Sequence, residues 1–513
     1  MKKIIYVPLD ERPCNYEFPA LLAEGTDYAV VRPDLSRMGL KKRPGDIEKL
    51  WAWLFEQARD ADGAIIALDT LLYGGIIPSR LHRLTAKQCE ERLEQVRRLK
   101  QINPSLQLFA FQLIMRCPRY SSSDEEPDYY EDWGEEIFRR GYIRHRLALG
   151  VATEDEQSEL RRIEAVLPEE VWREYTERRA VNLAANKRAI ELVKDRAIDF
   201  MVIPQDDSAP YGLTAIDQQE VRERVKACHQ QLSVYMYPGA DEAGCTLLAR
   251  MINRFEGRKP RVHVHFSSVQ GPFVTPLYED RVLYESVKYQ IMAAGGLMTS
   301  SLAEADMALC LNTPGESMME AGNQSQPHPG YQVYRNIVEL VEMADDIVRR
   351  LGKPCVIADI AYANGADLEL LQLLRDKKLL FGLAGYAGWN TSSNTLGTCI
   401  AQGMIYAVYG DTPQHRDFLS LRYVEDGGYC AFVRRDVTDR VLPEMGLDYF
   451  AVDGQRGRVA ERVRAELNRF IETRLHDDED EYEIVIDDCY MPWSRMFEVG
   501  LKTQVRNKKK GKG

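Results

Sequence analysis

Residues 199–212 read DFMVIPQDDSAPYG, an apolar run followed by a proline, two adjacent acids and a turn. A short apolar run such as 200–203, bounded by turn residues, is typical of a buried parallel strand. Ligands of α/β sheets and barrels bind at the carboxyl ends of the strands. Asp206 and Asp207 are therefore predicted to lie where such a fold carries out its chemistry.

The same pattern recurs along the chain, where about ten apolar runs alternate with helical patterns and nearly all end in polar loops. This alternation predicts an α/β protein with two doubly wound parallel-sheet lobes. An elaborated β/α barrel is the alternative. We expect a first lobe over 1–258 with a helical insertion at 124–195 and a second lobe over 259–410. An irregular α+β segment, 411–513, would follow, with an acidic run at 477–481 and a basic tail at 508–513.

Composition restricts the class of partner and the compartment. The 513 residues carry a net charge of −12, which argues against nucleic acid or an anionic membrane as the main partner. No apolar run approaches the ~20 residues of a membrane span. The N-terminal run in MKKIIYVPLDERP is too short for a signal peptide, so we expect a cytoplasmic protein.

The ten cysteines are scattered and form no C-x-x-C pair, as expected in a reducing compartment. Cys14 and Cys117 lie beside predicted strand ends and are possible nucleophiles, although a buried structural role is favoured. His263 and His265 share one face of a predicted strand. No further metal-ligand motif surrounds them, so ordinary placement is favoured over a metal site.

Acidic pairs supply the candidate catalytic groups. Asp206 and Asp207 follow one predicted strand, and Asp241 and Glu242 follow the next. The second pair has two open interpretations, because acids in this position either cap the following helix or take part in catalysis.

The candidates for holding a substrate are polar or aromatic side chains that follow predicted strands or line one face of a predicted helix. They are Asp10, Glu11, Arg12, Asp69, Tyr73, Arg116, Arg178, Asn182, Asn186, Trp389 and Asn390.

Two groups of residues within this set have competing interpretations. Arg178, Asn182 and Asn186 are four residues apart, so they share a helix face that either turns inward on a ligand or is solvated. Trp389 beside Asn390 offers an aromatic face and an amide, which suit a sugar ring and its hydroxyls. The alternative for Trp389 is a buried core position.

Several motifs resemble an uncharacterised bacterial family, domain of unknown function 4127. The opening V-P-L-D-E-R-P carries the resemblance, together with segments that span almost the whole chain. These are Leu68-Asp69…Tyr73-Gly74-Gly75…Ser79-Arg80, Gln205-Asp206-Asp207, Gly239-Ala240-Asp241-Glu242, Gly388-Trp389-Asn390-Thr391 and Pro492-Trp493…Arg495…Phe497-Glu498. The chain departs from the family pattern at Ser494-Arg495-Met496. The resemblance implies a shared fold and site, and no reaction.

The favoured function is an enzyme that hydrolyses glycosidic bonds, because this chemistry needs two carboxyl groups at one site. One of Asp206 and Asp207 would protonate the leaving oxygen. The other would orient a substrate acetamido group, or activate water together with Asp241 or Glu242. We expect a small-molecule or oligosaccharide substrate and no cofactor.

Two alternatives remain open. In a metal-dependent hydrolase or sugar isomerase, Asp10, Asp69, Asp206 and Glu242 would ligate Mg²⁺ or Mn²⁺. The other alternative is a non-catalytic sugar-binding protein.

Overall fold

A computed structural model describes residues 1–476 and 481–508 of the chain. The strands of these residues are β1 (Lys2–Val7), β2 (Tyr28–Val31), β3 (Gly63–Ala67), β4 (Gln107–Phe111), β5 (Phe200–Gln205), β6 (Val234–Pro238), β7 (Arg261–Phe266), β8 (Leu297–Thr299), β9 (Met307–Asn312), β10 (Met319–Glu320), β11 (Cys355–Asp359), β12 (Tyr362–Ala363), β13 (Gly385–Ala387), β14 (Tyr482–Tyr490) and β15 (Gly500–Asn507).

Helices separate most of these strands, as the alternating pattern predicts. The α-helices of the described residues are α1 (Pro13–Tyr16), α2 (Phe18–Ala23), α3 (Ile47–Ala58), α4 (Leu68–Tyr73), α5 (Pro78–Leu81), α6 (Ala86–Ile102), α7 (Tyr130–Ala148), α8 (Glu154–Val166), α9 (Glu169–Lys194), α10 (Leu213–Ala227), α11 (Ala243–Phe255), α12 (Leu283–Ala293), α13 (Gly330–Val333), α14 (Ile337–Arg349), α15 (Leu368–Asp376), α16 (Ser392–Tyr409), α17 (Pro413–Arg422), α18 (Arg434–Asp436), α19 (Leu442–Met445) and α20 (Arg458–Phe470). None of them combines the length and apolarity needed to cross a membrane.

The first compact unit comprises residues 1–11, 29–243 and 278–280. Its six strands have the order β2-β1-β3-β4-β5-β6, and the pairs from β1 to β6 are parallel. Strands β3 and β5 are buried along their full length, as continuous apolar runs of a parallel sheet require. Helices α3, α4 and α9 pack against this sheet.

The second compact unit comprises residues 12–28, 244–277 and 281–513, of which the structure describes the part given above. Its five-stranded parallel sheet has the order β13-β11-β9-β7-β8. Helices α14 and α16 pack against it. Two small sheets accompany it, a parallel β10–β12 pair and an antiparallel β14–β15 pair.

Both large sheets therefore have the doubly wound strand order 2-1-3-4-5 when only the strands of that sheet are counted along the chain. The first sheet adds a sixth strand. The predicted α/β fold with two parallel sheets is confirmed. The barrel alternative is wrong, because both sheets are open within the described residues, with β2 and β6 at the edges of the first. In this order the ligand crevice lies at the carboxyl ends of the first and third strands, where the winding direction reverses.

The helical insertion consists of α7, α8 and α9, and it forms a hydrophobic core together with Met115 and Cys117 of the loop after β4. That core includes Ile137, Leu160, Trp172 and Tyr175, all buried. Its helices occupy 130–194, close to the predicted 124–195.

The observed units differ from the predicted boundaries at four places. One is residues 278–280, which belong to the first unit although the sequence assigned them to the second lobe. Residues 12–28 and 244–258 belong to the second unit, although the sequence assigned them to the first. The segment that begins at residue 411 shares a hydrophobic core with the second sheet, for example through Ile357, Tyr423 and Leu467. Most of the predicted acidic run (477–480) and most of the basic tail (509–513) lie outside the described residues.

Candidate functional site

Asp206 and Asp207 follow β5 directly, at the carboxyl edge of the first sheet. Their side chains are 18% and 26% exposed, so solvent reaches both carboxyl groups. Asp207 has a φ of +43°, a left-handed conformation that aspartate tolerates better than most residues. This turn follows the strand, and the two neighbouring carboxyl groups contact different arginines.

Two arginines from neighbouring loops bind these acids. Arg80 lies in α5, which follows β3, and its Nη2 donates to Asp206 Oδ2 at 3.0 Å. Arg116 follows β4, and its Nη1 donates to Asp207 Oδ2 at 3.1 Å. Both guanidinium groups are buried, so the acids form the solvent-facing layer above them. The sequence placed Arg116 among the candidates for holding a substrate; the structure pairs it with the protein's own acids, and a contact with a substrate stays a prediction.

Glu125 and Glu126 complete the network, and the sequence analysis missed both. Arg80 Nη1 contacts Glu125 Oε2 at 2.8 Å and Glu126 Oε1 at 3.3 Å. Arg116 contacts the same two oxygens at 2.9 Å and 2.8 Å. The acidic triplet Asp124-Glu125-Glu126, at the start of the insertion, could have predicted these contacts. Two buried arginines in strand-end loops require acidic partners.

The electrostatics of the network set Asp206 apart. Burial raises the pKa of its carboxyl to about 7, and the neighbouring Asp207 carboxylate adds to this effect. Arg116 and Arg80 act in the opposite direction, and the Asp241 charge again raises the value. Asp206 is therefore a carboxyl group that gains and loses its proton near neutral pH, as an acid/base catalyst requires.

Asp10 and Asp69 flank the crevice where the winding of the first sheet reverses. Thr70 Oγ1 joins the two strand ends, because it donates to the carbonyl oxygens of Pro8 and Leu9 at 2.6 and 2.9 Å. Asp69 Oδ2 accepts from the Leu113 N–H at 2.9 Å. Burial raises the pKa of Asp69 to about 7.

Tyr73, also buried, stacks on His82 with 4.4 Å between ring centroids.

Glu242 binds a backbone N–H of its own turn, ahead of α11, so helix capping and catalysis both stay predictions for Asp241 and Glu242. Glu242 Oε2 accepts from the Ala240 N–H at 2.8 Å. Gly239 has a φ of +141°, and a Cβ placed there would lie 1.9 Å from Glu242 Oε1. Glycine is thus required for the carboxylate to fold back over the turn. Asp241 is the member of this pair whose charge acts on Asp206.

The polar face of α9 turns inward, but onto backbone groups of the protein. Asn182 Nδ2 donates to the Ser79 carbonyl at 2.8 Å, and Asn186 Nδ2 donates to the Leu113 carbonyl at 3.2 Å. Arg178 Nε donates to the His82 carbonyl at 2.9 Å. All three side chains are buried. This polar face of α9 therefore positions the loops that carry Arg80 and Arg116. A contact of Arg178, Asn182 or Asn186 with a ligand stays a prediction.

Substitution of Asp69 tests its buried, partly protonated state. Its folded-state pKa lies above the usual value of about 4, so folding favours the protonated form and this contribution is lost as pH rises through 7. Asp69→Asn retains an acceptor for the Leu113 N–H and cannot ionise. We expect it to be stabilising by only about 1 kcal/mol at pH 5 and by about 2–4 kcal/mol at pH 8.5, because the wild type loses this stability between about pH 4 and pH 7.

Asp69→Ala is the control for this experiment, because it leaves the Leu113 N–H without its acceptor. We expect destabilisation of about 1–3 kcal/mol near pH 5, where the wild-type carboxyl is neutral. Thermal unfolding between pH 4.5 and 8.5 measures both variants. A stability difference between Asp69→Asn and wild type that does not change with pH would contradict the protonated state.

Three residues that were predicted to contact a ligand make contacts within the protein. Glu11, in the first unit, accepts from the Lys41 N–H at 2.7 Å. Trp389, in the second unit, is 7% exposed, donates from Nε1 to Thr398 Oγ1 at 3.3 Å and meets Phe18 edge to face. It is therefore a core tryptophan rather than an open platform. The Arg12 guanidinium, also in the second unit, lies 4.7 Å from the centroid of the Trp493 ring.

The asparagine beside that tryptophan has a structural role as well. Asn390 adopts a φ of +49°, and its carbonyl accepts from the Asn364 N–H at 2.8 Å. Its contact with a sugar stays a prediction.

Comparison with protein families now places the chain. The model of a family described as "Protein of unknown function (DUF4127)" matches residues 4–502. The chain belongs to this family. No curated protein matches it. The match includes Arg80, Asp206, Asp207 and Asp241, so the network lies entirely within the family domain of this DUF4127 protein.

Other candidate chemistries of the DUF4127 chain receive less support from the geometry. Within residues 1–476 and 481–508, no group of three or more His, Cys, Asp or Glu side chains is arranged to hold a metal ion. Asp69, Asp206 and Glu242, which the metal hypothesis requires, all accept from protein donors. His265 Nε2 lies 2.9 Å from Glu339 Oε2. Cys14 and Cys117 are buried, and burial raises the pKa of the Cys117 thiol.

Proposed function

We propose that this protein is a hydrolase of glycosidic bonds in which Asp206 is the general acid. The observation that carries the proposal is the combination of a pKa near 7 with partial solvent exposure at a strand end. A group with this pKa holds its proton at neutral pH and releases it readily, so it can protonate a leaving alkoxide. Arg80 positions the carboxyl through Oδ2.

A neighbour of Asp206 would supply the second carboxyl group that the reaction needs. Asp207, held by Arg116, and Asp241 are the two candidates, since Glu242 is engaged with the backbone of its own turn. Either one would activate water or stabilise the positive charge that develops on the sugar ring.

The proposed substrate is a neutral sugar or oligosaccharide rather than a phosphorylated one. The solvent-facing layer of the site consists of carboxyl groups, and its two arginines are buried beneath them and already paired. An anionic substrate would be repelled by this layer. The compartment we propose is the cytoplasm, because all ten cysteines are buried and free of disulfides.

The proposal is tested by hydrolysis of a panel of aryl glycosides and natural disaccharides across pH 4.5–9. We expect turnover of one sugar class, with kcat/KM falling about tenfold per pH unit above pH 7 as Asp206 loses its proton. Asp206→Asn should abolish this alkaline limb. Turnover that rises with pH through 7 to 9, or no turnover of any glycoside, would refute the assignment.

Saccharide binding separates the enzyme from the non-catalytic alternative. If the wild-type chain binds a glycoside for hours without cleaving it, the protein is a sugar-binding protein. The metal-dependent alternative is tested by adding Mg²⁺ or Mn²⁺ to the same assays.

A further inference from the structure

A second network of buried polar side chains lies at the carboxyl edge of the second sheet. Asn312 ends β9, and its Nδ2 donates to Asp359 Oδ1 at 2.9 Å and to Asp367 Oδ2 at 3.0 Å. Arg335 Nη1 donates to Asn312 Oδ1 at 3.0 Å and to Asp367 Oδ2 at 2.5 Å. The Arg335 and Asp367 side chains are each 3% exposed. These contacts hold the Arg335 guanidinium in one orientation.

A cavity of about 850 Å³ opens above this network, and only residues of the second unit line it. Arg335, Tyr362 and Asp367 form its floor, and Phe432 forms part of its wall. The volume lies within the range of about 300–1,000 Å³ typical of small-molecule sites. Its location at the carboxyl ends of strands is also where open α/β sheets bind ligands.

Two polar atoms of the floor have capacity left for a ligand. Arg335 uses Nε and Nη1 for Tyr331, Asn312 and Asp367, and within the described residues its Nη2 has no hydrogen-bond partner. The Tyr362 hydroxyl also has none there, although this residue is only 5% exposed. Its ring is fixed by stacking on Tyr331, with 4.5 Å between centroids. Arg335 Nη2 and the Tyr362 hydroxyl are therefore available to a ligand, on side chains that the surrounding contacts hold in place.

The charges around the cavity indicate a neutral ligand. Four arginines line it, and four acids line it with them. Three of the arginines form ion pairs within this set, Arg335 with Asp367, Arg435 with Asp439 and Arg440 with Asp436. An anion or a cation would find no excess of the opposite charge. Hydroxyl groups both donate and accept, so they suit a lining that offers donors and acceptors in equal number.

The wall adds an aromatic surface. Phe432 is 42% exposed, and the Arg474 guanidinium lies 5.1 Å from its ring centroid. An exposed phenyl ring stacks on the apolar C–H face of a pyranose, while arginine and acid side chains bind the ring hydroxyls.

We propose that this cavity is a second, non-catalytic binding site for a neutral saccharide. One sugar ring lies against Phe432, and its hydroxyls reach Arg335 Nη2 and the Tyr362 hydroxyl. The site goes beyond the proposed function, because it is built from residues other than the carboxyl groups at the edge of the first sheet.

The test is calorimetric titration of the full chain carrying Asp206→Asn with neutral di- to tetrasaccharides of glucose, galactose, mannose and N-acetylglucosamine. Tyr362→Phe removes only the hydroxyl, and Phe432→Ala removes the stacking surface. We expect affinity for the binding saccharide to fall about 2- to 10-fold in the first variant and about 10-fold in the second. Phe450→Ala, an exposed phenylalanine outside the cavity, is the matched control and should leave affinity unchanged.

The outcomes for the two proposals are separable. If the wild-type chain cleaves no glycoside but binds a saccharide in a manner that depends on Phe432 or Tyr362, the catalytic proposal fails and this site stands. If no saccharide binds, or if binding is unchanged in both variants, the second site is refuted, whether or not hydrolysis depends on Asp206.

Discussion

Asp206→Asn is expected to lower kcat/KM about 100- to 10,000-fold for glycosides with poor leaving groups, the usual contribution of a general acid. Asparagine has the same shape and can still accept from Arg80, which contacts Asp206 Oδ2 at 3.0 Å. It has no proton to donate near neutral pH. The variant therefore removes proton transfer and retains most of the surrounding geometry.

The leaving group provides the decisive comparison. A dinitrophenolate leaves without protonation, so the same variant should lose about tenfold or less on a dinitrophenyl glycoside. Equal losses on both substrates would show that Asp206 positions the substrate and does not transfer the proton. Asp128→Asn is the matched control, since this side chain is fully exposed on the same unit and should leave both rates unchanged.

Arg80→Met is expected to destabilise the first unit by about 3–5 kcal/mol, because it removes one of the two buried cations that neutralise the acids of the network. Arg80 contacts Glu125, Glu126 and Asp206, and its own side chain is 3% exposed. Glu126 is the critical partner, since it is 1% exposed and its Oε2 has no hydrogen-bond partner within the described residues. Methionine retains much of the apolar volume, so the change reports mainly on charge.

Thermal unfolding at pH 8 should show a loss of about 6–20 °C, and the loss should shrink at pH 5, where protonation can neutralise the stranded carboxylates. Arg350→Met is the control, because its ion pair with Asp346 is exposed and solvent screening leaves it little effect on stability. A similar loss in both variants, or a loss for Arg80→Met that does not change with pH, would show that the network contributes no special stability.

The local pattern of the sequence predicted the part of the site that depends on single strands. The apolar run before Asp206 and Asp207 became β5, and the polar residues after each run lie at strand ends because parallel strands share one carboxyl edge. Asp10, Asp69, Arg116 and Asp241 were found in this way. Which of these side chains converge was not predictable, because convergence depends on strand order, and the order 2-1-3-4-5 is set by packing between distant segments.

The glutamates of the network illustrate this limit. Glu125 and Glu126 stand at the start of a charged insertion, where solvated acids are common. They become buried partners only because strands β3 and β4 bring Arg80 and Arg116 together. Similarly, the stripe of Arg178, Asn182 and Asn186 was correctly placed on one helix face. Its targets, the Ser79 and Leu113 carbonyls among them, lie about 70 or more residues away in the chain.

The sequence by itself determined the α/β class, the strand ends and the acidic pair, because apolar runs bounded by turn residues report local burial and backbone direction. Family membership followed from motifs spread over the chain. Only the tertiary structure decided the strand order, the unit to which residues 12–28 and 244–258 belong, the burial of Trp389 and the raised pKa of Asp206. These properties arise from contacts between residues far apart in the chain, and no local pattern encodes the desolvation or the charges that such contacts create.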